Sequence, residues 1–275
     1  MKTLENQTIL YDEDCPLCQT YTSAFVKTGM LDKNGRKPYG QIDEHEMNFI
    51  DTERAANEIA LVDYQNKTVV YGIESLLKII GNSFPFIEKI GKWQPVNYLL
   101  KKLYSFISYN RKVIIPSSKP NETKFNCEPS FNLKYRIFYL LVAICTTTII
   151  LFTCSEMLPQ IPKSSYIREL ALATGQIIFQ SMFLIRKDWK TIVNYSGNLM
   201  TVSLYGCLLL LPILLLNQLV AIHPNIALIW FGITVVLIFM EHFRRVQLLQ
   251  LPKYLCITWV LYRIIALYLI LNFPL

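Results

Sequence analysis

The sequence is short of most features that mark soluble chemical machinery. Its 275 residues include only three histidines, and no glycine-rich phosphate loop, heptad run or internal repeat is present. Only 17% of the residues are charged, against about a quarter in ordinary soluble domains. The shortage is uneven. Residues 1–136 hold 18 Lys/Arg and 16 Asp/Glu, so 25% are charged; residues 137–275 hold 9 and 4, or 9%. The front half has the composition of a soluble domain and the back half that of a protein in lipid. This excludes a single soluble enzyme domain and a disordered tail. A secretory signal pattern is also missing: Met1 to Gln7 is polar, and the apolar run Thr8–Tyr11 is too short for a signal core. Seven cysteines, an odd number, argue against a disulfide scaffold. Cys127, Cys145, Cys154, Cys207 and Cys256 stand alone, four of them in apolar segments where a cysteine packs as a small hydrophobe. Of the +7 net charge, +5 lies in the back half. That excess reads as bilayer orientation rather than nucleic-acid binding, and no nucleic-acid partner is expected.

What is present in the front half is an alternation of strand and helix signals. Thr8–Tyr11 is a short apolar strand. Pro16 to Lys27 carries Leu17, Tyr21, Ala24 and Phe25 near helical spacing, with Gly29 as a stop. Pro38–Ile42 is a weak second strand, and Asp51-Thr52-Glu53 opens a short helix. Ile59–Asp63 and Thr68–Tyr71 flank Tyr64-Gln65-Asn66-Lys67 as a hairpin. Gly72 leads into an amphipathic helix, and 86–113 reads as helical. The order β-α-β-α-β-β-α is that of a thioredoxin-like domain. Pro116, Pro120 and Pro129, among several Ser and Asn, mark a linker.

The back half contains five apolar stretches, at roughly 137–155, 167–185, 195–217, 225–242 and 254–272, where about 18 apolar residues suffice to cross a bilayer core. Arg168, Glu169, Gln176 and Gln180 dilute the second. Lys119, Lys124, Lys134 and Arg136 precede the first stretch. Arg186, Lys187 and Lys190 fall between the second and third, and Arg244, Arg245 and Lys253 between the fourth and fifth. The remaining connections carry little beyond Lys163 and Arg168. Positive charge thus alternates with each crossing. The positive-inside rule then places the N-terminal domain in the cytoplasm and Leu275 outside.

Cys15-Pro16-Leu17-Cys18 is the sharpest chemical signal. It follows a strand and opens a helix, where first-turn N–H groups and the helix dipole lower a thiol's pKa. Pro16 suits the first helical position because its missing N–H would be unpaired there anyway. The spacing puts the sulfurs within disulfide reach across one turn. Cys15, expected to be the more exposed thiol, is the candidate nucleophile, and Cys18 would resolve the mixed disulfide. A zinc site would need two further ligands, and His45 and Cys127 lack ligand spacing. No metal and no cofactor are expected. Asp12, Glu13 and Asp14 oppose thiolate formation by their charge. Asp12, at the strand end, is a candidate proton acceptor or relay, and Asp14 a candidate helix cap. A strand followed by Asp-x-Asp also opens the nucleophile loop of haloacid-dehalogenase-type phosphatases. Here Pro16 stands where that loop places a small β-branched residue, and no paired acidic motif follows.

Tyr11-Asp12-Glu13-Asp14-Cys15-Pro16-Leu17-Cys18 resembles the Asp-x-x-Cys-Pro-x-Cys signature of the DCC family of predicted thiol–disulfide oxidoreductases. The closing segment Pro95…Tyr104…Tyr109-Asn110-Arg111 is similar to that family's Pro…Tyr…Asn-Arg segment, so the likeness covers about residues 8–115. The resemblance implies a thioredoxin-like core, a protein or small-molecule thiol/disulfide substrate, and Asp12, Cys15 and Cys18 as the functional trio. One departure from thioredoxins is that no proline precedes the Ile59 strand. The expected plan is therefore an α/β thioredoxin-like domain at 1–115, a linker at 116–132, and an all-α transmembrane bundle of about five helices at 133–275. Two other readings compete: a non-catalytic membrane protein whose thioredoxin-like domain docks a partner, and a transmembrane electron carrier using Cys145 and Cys207. Arg263 falls mid-span, where a charge is costly. With Gln176, Gln180 and Thr146–Thr148 it suggests a polar interior cluster for a quinone, lipid headgroup or ion, or else a snorkelling side chain. Glu241-His242 with Arg244 and Arg245 reads as an interfacial anchor.

Overall fold

A computed structural model of the chain describes residues 1–116 and 129–273, in two compact units, Met1–Tyr135 and Arg136–Leu275. Most of the expected linker, with Cys127, and the terminal Leu275 lie outside the described residues. The first unit runs β1 (Gln7–Tyr11), α1 (Pro16–Lys27), β2 (Arg36–Pro38), α2 (Thr52–Asn57), β3 (Ala60–Asp63), β4 (Thr68–Tyr71), α3 (Ile73–Ser83), α4 (Pro85–Lys92) and α5 (Gln94–Ile114). The sheet order is β2-β1-β3-β4. β1 is parallel to β2 and antiparallel to β3, and β3 pairs antiparallel with β4. The unit is an α/β domain of thioredoxin-like topology.

The period-two alternation of the strands splits the core between the two sheet faces. Ile9 and Leu61 pack with Leu31, Ile59 and Ile79 on one face. Leu10, Ala60 and Val62 pack with Tyr39, Ile42, Ile50 and Ala55 on the other. Two expectations shift. The second strand lies at Arg36–Pro38 rather than 38–42, because Pro38 offers no N–H to prolong a ladder and the chain turns into a 3₁₀ turn at Tyr39–Gln41. The helical stretch 86–113 is two helices, broken at Trp93, whose backbone is extended (φ −61°, ψ 125°); Pro95 then occupies the first turn of α5. Gly72 precedes α3 at φ +66°, where a Cβ would also meet the Glu58 carboxylate at 2.9 Å.

Five helices follow: α6 (Leu133–Ser155), α7 (Tyr166–Met182), α8 (Trp189–Leu219), α9 (Pro224–Leu248) and α10 (Tyr254–Asn272). Each overlaps one of the five expected stretches, α7 stopping at Met182, three residues short of its stretch. Four of them, α6, α8, α9 and α10, are long and apolar enough to cross a membrane. α7 has 17 residues, and Arg168 and Glu169 sit in its first turn. The core of the second unit is built around Tyr195, Leu199, Val202 and Trp259 in one cluster and Cys154, Leu210 and Ile213 in another.

Candidate active site

Two buried pairs meet where β1 gives way to α1: the cysteines of the CPLC turn, and Asp12 with Arg111. Asp12 follows the last residue of β1. Its Oδ1 accepts from the Asp14 N–H at 3.0 Å, and its carbonyl accepts from the Cys15 N–H at 3.2 Å, so the chain folds back tightly before the helix. This turn sets Cys15 as the N-cap of α1, with its Sγ accepting the Cys18 N–H at 3.5 Å. The expected Asp14 cap is not used: the Asp14 N–H binds Asp12, and the cap is the cysteine itself. Cys18 lies one turn in, where the Tyr21 hydroxyl donates to its Sγ at 3.6 Å. Both cysteines are free thiols.

The expectation that Cys15 is the more exposed thiol does not hold. Cys15 is 3% and Cys18 5% exposed. Exposed Pro16 lies beside Cys15, so the pair sits just beneath the surface. The two sulfurs are distinguished by bonding rather than exposure. The hydrogen bond from the Cys18 thiol lowers the Cys15 pKa, burial opposes it, and the Cys18 N–H and the Arg111 charge lower it further, to about 6. The same sulfur–sulfur bond, together with burial, raises Cys18. One thiol is thus set to ionise near neutrality and its neighbour to hold its proton.

Arg111 completes the site, although its neighbours in the sequence assign it no role. It lies near the end of α5, almost a hundred residues from Asp12. Its Nη2 stands 3.3 Å from Asp12 Oδ2 and donates to the Ala56 carbonyl at 3.0 Å, with both side chains of the ion pair buried. Burial raises the Asp12 pKa, against the opposing pull of Arg111 and Lys112. The guanidinium also lowers both thiols. Tyr104, one of the other residues of that closing segment, accepts the Ile59 N–H at 2.8 Å just before β3. The Asn-Arg signal of the closing segment thus marks the positive charge that offsets the acidic Asp12-Glu13-Asp14 run.

The other singled-out residues fall elsewhere. Among the described residues no group of three or more His, Cys, Asp or Glu is gathered for a metal. Cys145 is exposed, while Cys154 and Cys256 belong to different core clusters. The polar residues of the second unit divide in two. Arg263, Gln176 and Thr147 line one cavity of about 260 Å³, together with the Arg168–Glu169 ion pair. Gln180 belongs to a separate network: its Oε1 accepts from the Tyr195 hydroxyl (3.3 Å) and the Thr258 hydroxyl (3.0 Å), and Tyr195 also bonds His242 Nε2 at 3.1 Å. The expected Glu241–Arg245 anchor is therefore only half exposed. Arg244 and Glu241 pair at 2.7 Å near the surface, but His242 is buried, and so is Arg245, which bonds Glu241 and Asn198.

The parallel-then-hairpin sheet, with Cys15 capping the first helix, is that of a thioredoxin-like domain. Residues 9–115 match the model of the DCC1-like thiol-disulfide oxidoreductase family. Residues 116–275 lie outside the match. No curated protein and no solved structure matches the chain.

Proposed function

We propose that the protein is a membrane-anchored thiol–disulfide oxidoreductase whose Cys15/Cys18 couple faces the cytoplasm. The observation that carries this reading is the asymmetric sulfur pair: Cys15 at the helix cap with its pKa near 6, hydrogen-bonded by a Cys18 that keeps its proton. In the reductive direction the Cys15 thiolate attacks one sulfur of a substrate disulfide. A Cys15–substrate bond forms, the substrate S–S bond breaks, and one substrate thiolate leaves. Cys18 then loses its proton and attacks Cys15 Sγ, releasing the second substrate thiolate and leaving the Cys15–Cys18 disulfide. Two electrons pass to substrate; the reverse sequence oxidises a dithiol. Asp12, with its pKa raised by burial, is the proposed acceptor for the proton of the resolving step. Because both sulfurs are buried, attack on a bulky disulfide requires a local opening that exposes Cys15.

Cytoplasmic placement is supported by the loop charges. With five crossings, Arg186, Lys187 and Lys190 share one side with Arg244, Arg245 and Lys253 and with the first unit. With four crossings, omitting α7, these two basic loops would fall on the side opposite the first unit. α7 spans roughly 25 Å at 1.5 Å per residue, and Phe183-Leu184-Ile185 extend its apolar run.

Trapping tests the redox reading. Cys18→Ser is expected to accumulate a mixed disulfide through Cys15, identifiable by mass spectrometry, whereas Cys15→Ser accumulates none. If both single variants behave like the parent, the exchange reading fails and the docking role takes its place, with the double Cys→Ser variant still functional.

A further inference from the structure

The first unit carries an apolar face that the redox reading does not use. α4 and α5 are consecutive, and both turn large apolar side chains to solvent. Phe86 (74% exposed), Ile90 and Trp93 (65%) lie along α4 and its exit, and Leu99 (66%), Leu103 and Ile107 follow along α5. Isolated exposed hydrophobes are ordinary, but these form a pattern. Leu99, Leu103 and Ile107 recur every four residues and so lie on one stripe. The opposite work of α5 is done by Tyr104, Ser108 and Arg111, which reach into the domain to bond Ile59, Asn57 and Ala56. The two stripes are separated by roughly 100° around the helix. α5 therefore holds the domain with one side and presents a continuous greasy side outward.

The charges beside this face have one prevailing sign. Lys89, Lys92, Lys101 and Lys102 accompany it. Lys92 pairs with Glu88 and Lys101 with Glu74, both at 2.5 Å. Lys89 and Lys102 have no carboxylate partner among the described residues; the Lys102 ammonium lies 5.5 Å from the Tyr98 ring centroid. Aromatic and aliphatic side chains flanked by lysines are the composition of a helix lying in a lipid headgroup region. The far end of α5 is also tied to the beginning of an apolar helix. Tyr109 stacks on Tyr135 (centroids 5.0 Å apart, 13° between planes), and Asn110 Nδ2 donates to the Tyr135 carbonyl at 3.2 Å. Tyr135 is the third residue of α6, the first helix long and apolar enough to cross a membrane.

We propose that the α4–α5 face is a lipid-contacting surface that beds into the headgroup region of an anionic leaflet. Phe86, Ile90, Trp93, Leu99 and Leu103 supply the buried apolar area. Lys89 and Lys102 supply the attraction to anionic headgroups. A second copy of the chain or a protein substrate would also cover an apolar face. The unpaired lysines and the junction with α6 favour lipid.

The test uses the full chain in nanodiscs containing 30% phosphatidylglycerol, with a benzophenone amino acid placed singly at Phe86, Trp93 or Leu103. A fourth placement at Asn66, in the β3–β4 turn, is the control. On irradiation the three face positions are expected to give lipid adducts and Asn66 none. Lys89→Gln with Lys102→Gln is expected to cut adduct yield several-fold at low salt, and nanodiscs of neutral phosphatidylcholine alone to do the same. Adducts on peptides from residues 136–273 or on a second copy, or equal labelling from all four positions, overturn the proposal. Lipid adducts that ignore both the lysines and the lipid charge overturn its electrostatic half. The substituted side chains are exposed, and near-ultraviolet circular dichroism checks that each variant keeps its packing.

Discussion

Each unit of this protein holds a guanidinium that is at least partly buried, and the two are handled differently. In the first unit Arg111 is enclosed by protein and meets a carboxylate, Asp12, at 3.3 Å, with the Ala56 carbonyl taking a further donor. In the second unit Arg263 is the tenth of the 19 residues of α10, roughly 14 Å from the helix start. It forms no hydrogen bond or ion pair with a described residue and lies over the Trp259 ring at 4.8 Å. The contrast teaches what each charge is set to do. Arg111 is part of a pair whose removal leaves a stranded partner, and that pair stands beside two thiols. Arg263 borders a cavity and strands nothing when it is removed.

The largest effect is therefore expected from Arg111→Leu. Removing one partner of a buried ion pair is costly because the other charge is left behind. The loss is expected to be about 3 kcal/mol at pH 8. It should shrink as pH falls, because the stranded Asp12 then takes a proton. Urea titration in micelles, followed by alkylation of buried Cys18, reads this directly. A variant as stable as the parent at pH 8 would mean that the pair contributes nothing and that the two arginines are alike.

A smaller effect, confined to the chemistry, is expected from Asp12→Asn. The Asp12 charge opposes the Cys15 thiolate and Arg111 favours it. The alkylation midpoint of Cys15, expected in the parent near its lowered pKa of about 6, should move down in Asp12→Asn and up in Arg111→Leu. The exchange rate of Asp12→Asn should nonetheless fall, on the order of 10²-fold, if the carboxylate takes the resolving proton. Faster alkylation with slower exchange is the signature, and unchanged exchange would remove Asp12 from the mechanism. Linkage gives a second readout. The Cys15 pKa is depressed in the fold, so its contribution to stability is present above the unfolded value near 9 and is lost as pH falls through about 6. The Asp12 pKa is raised, so its contribution has the opposite sense, present at low pH and lost as pH rises through its folded value. Cys15→Ser should flatten the stability gain between pH 6 and 9.

The same contrast explains what the sequence disclosed. The sheet was legible because Ile9/Leu10 and Ala60–Val62 alternate or run apolar between turn residues, and the five helices because their apolar runs are long. The CPLC turn was legible because Pro16 and the strand before it fix a helix start. What failed to show was anything carried by distance in the chain. Arg111 belongs to a quoted segment, yet nothing in its neighbourhood says that it meets Asp12. The burial of Cys15 does not show in the sequence because its place at a helix start does not say what packs around it. His242 and Arg245 looked like an exposed anchor beside Arg244, since helical spacing alone does not say which side faces Tyr195 and Asn198. Gln176 and Gln180, four apart and alike in type, went to different surroundings for the same reason.

The smallest effect is expected where the comparison began, at Arg263→Leu. A charge near the middle of a membrane helix costs about 2.5–3.5 kcal/mol on insertion scales. The contact with Trp259 returns about 1–2 kcal/mol of that if desolvated. Replacing the guanidinium by an apolar side chain is therefore expected to leave the second unit unchanged or to stabilise it by about 1 kcal/mol, read as a rise in thermal stability in micelles. Arg111→Leu shifts stability in the opposite direction under the same conditions. If Arg263→Leu instead destabilises the protein, the guanidinium has a binding partner in the Thr147–Gln176 cavity, and the two arginines become alike: each a charge held for the group it faces.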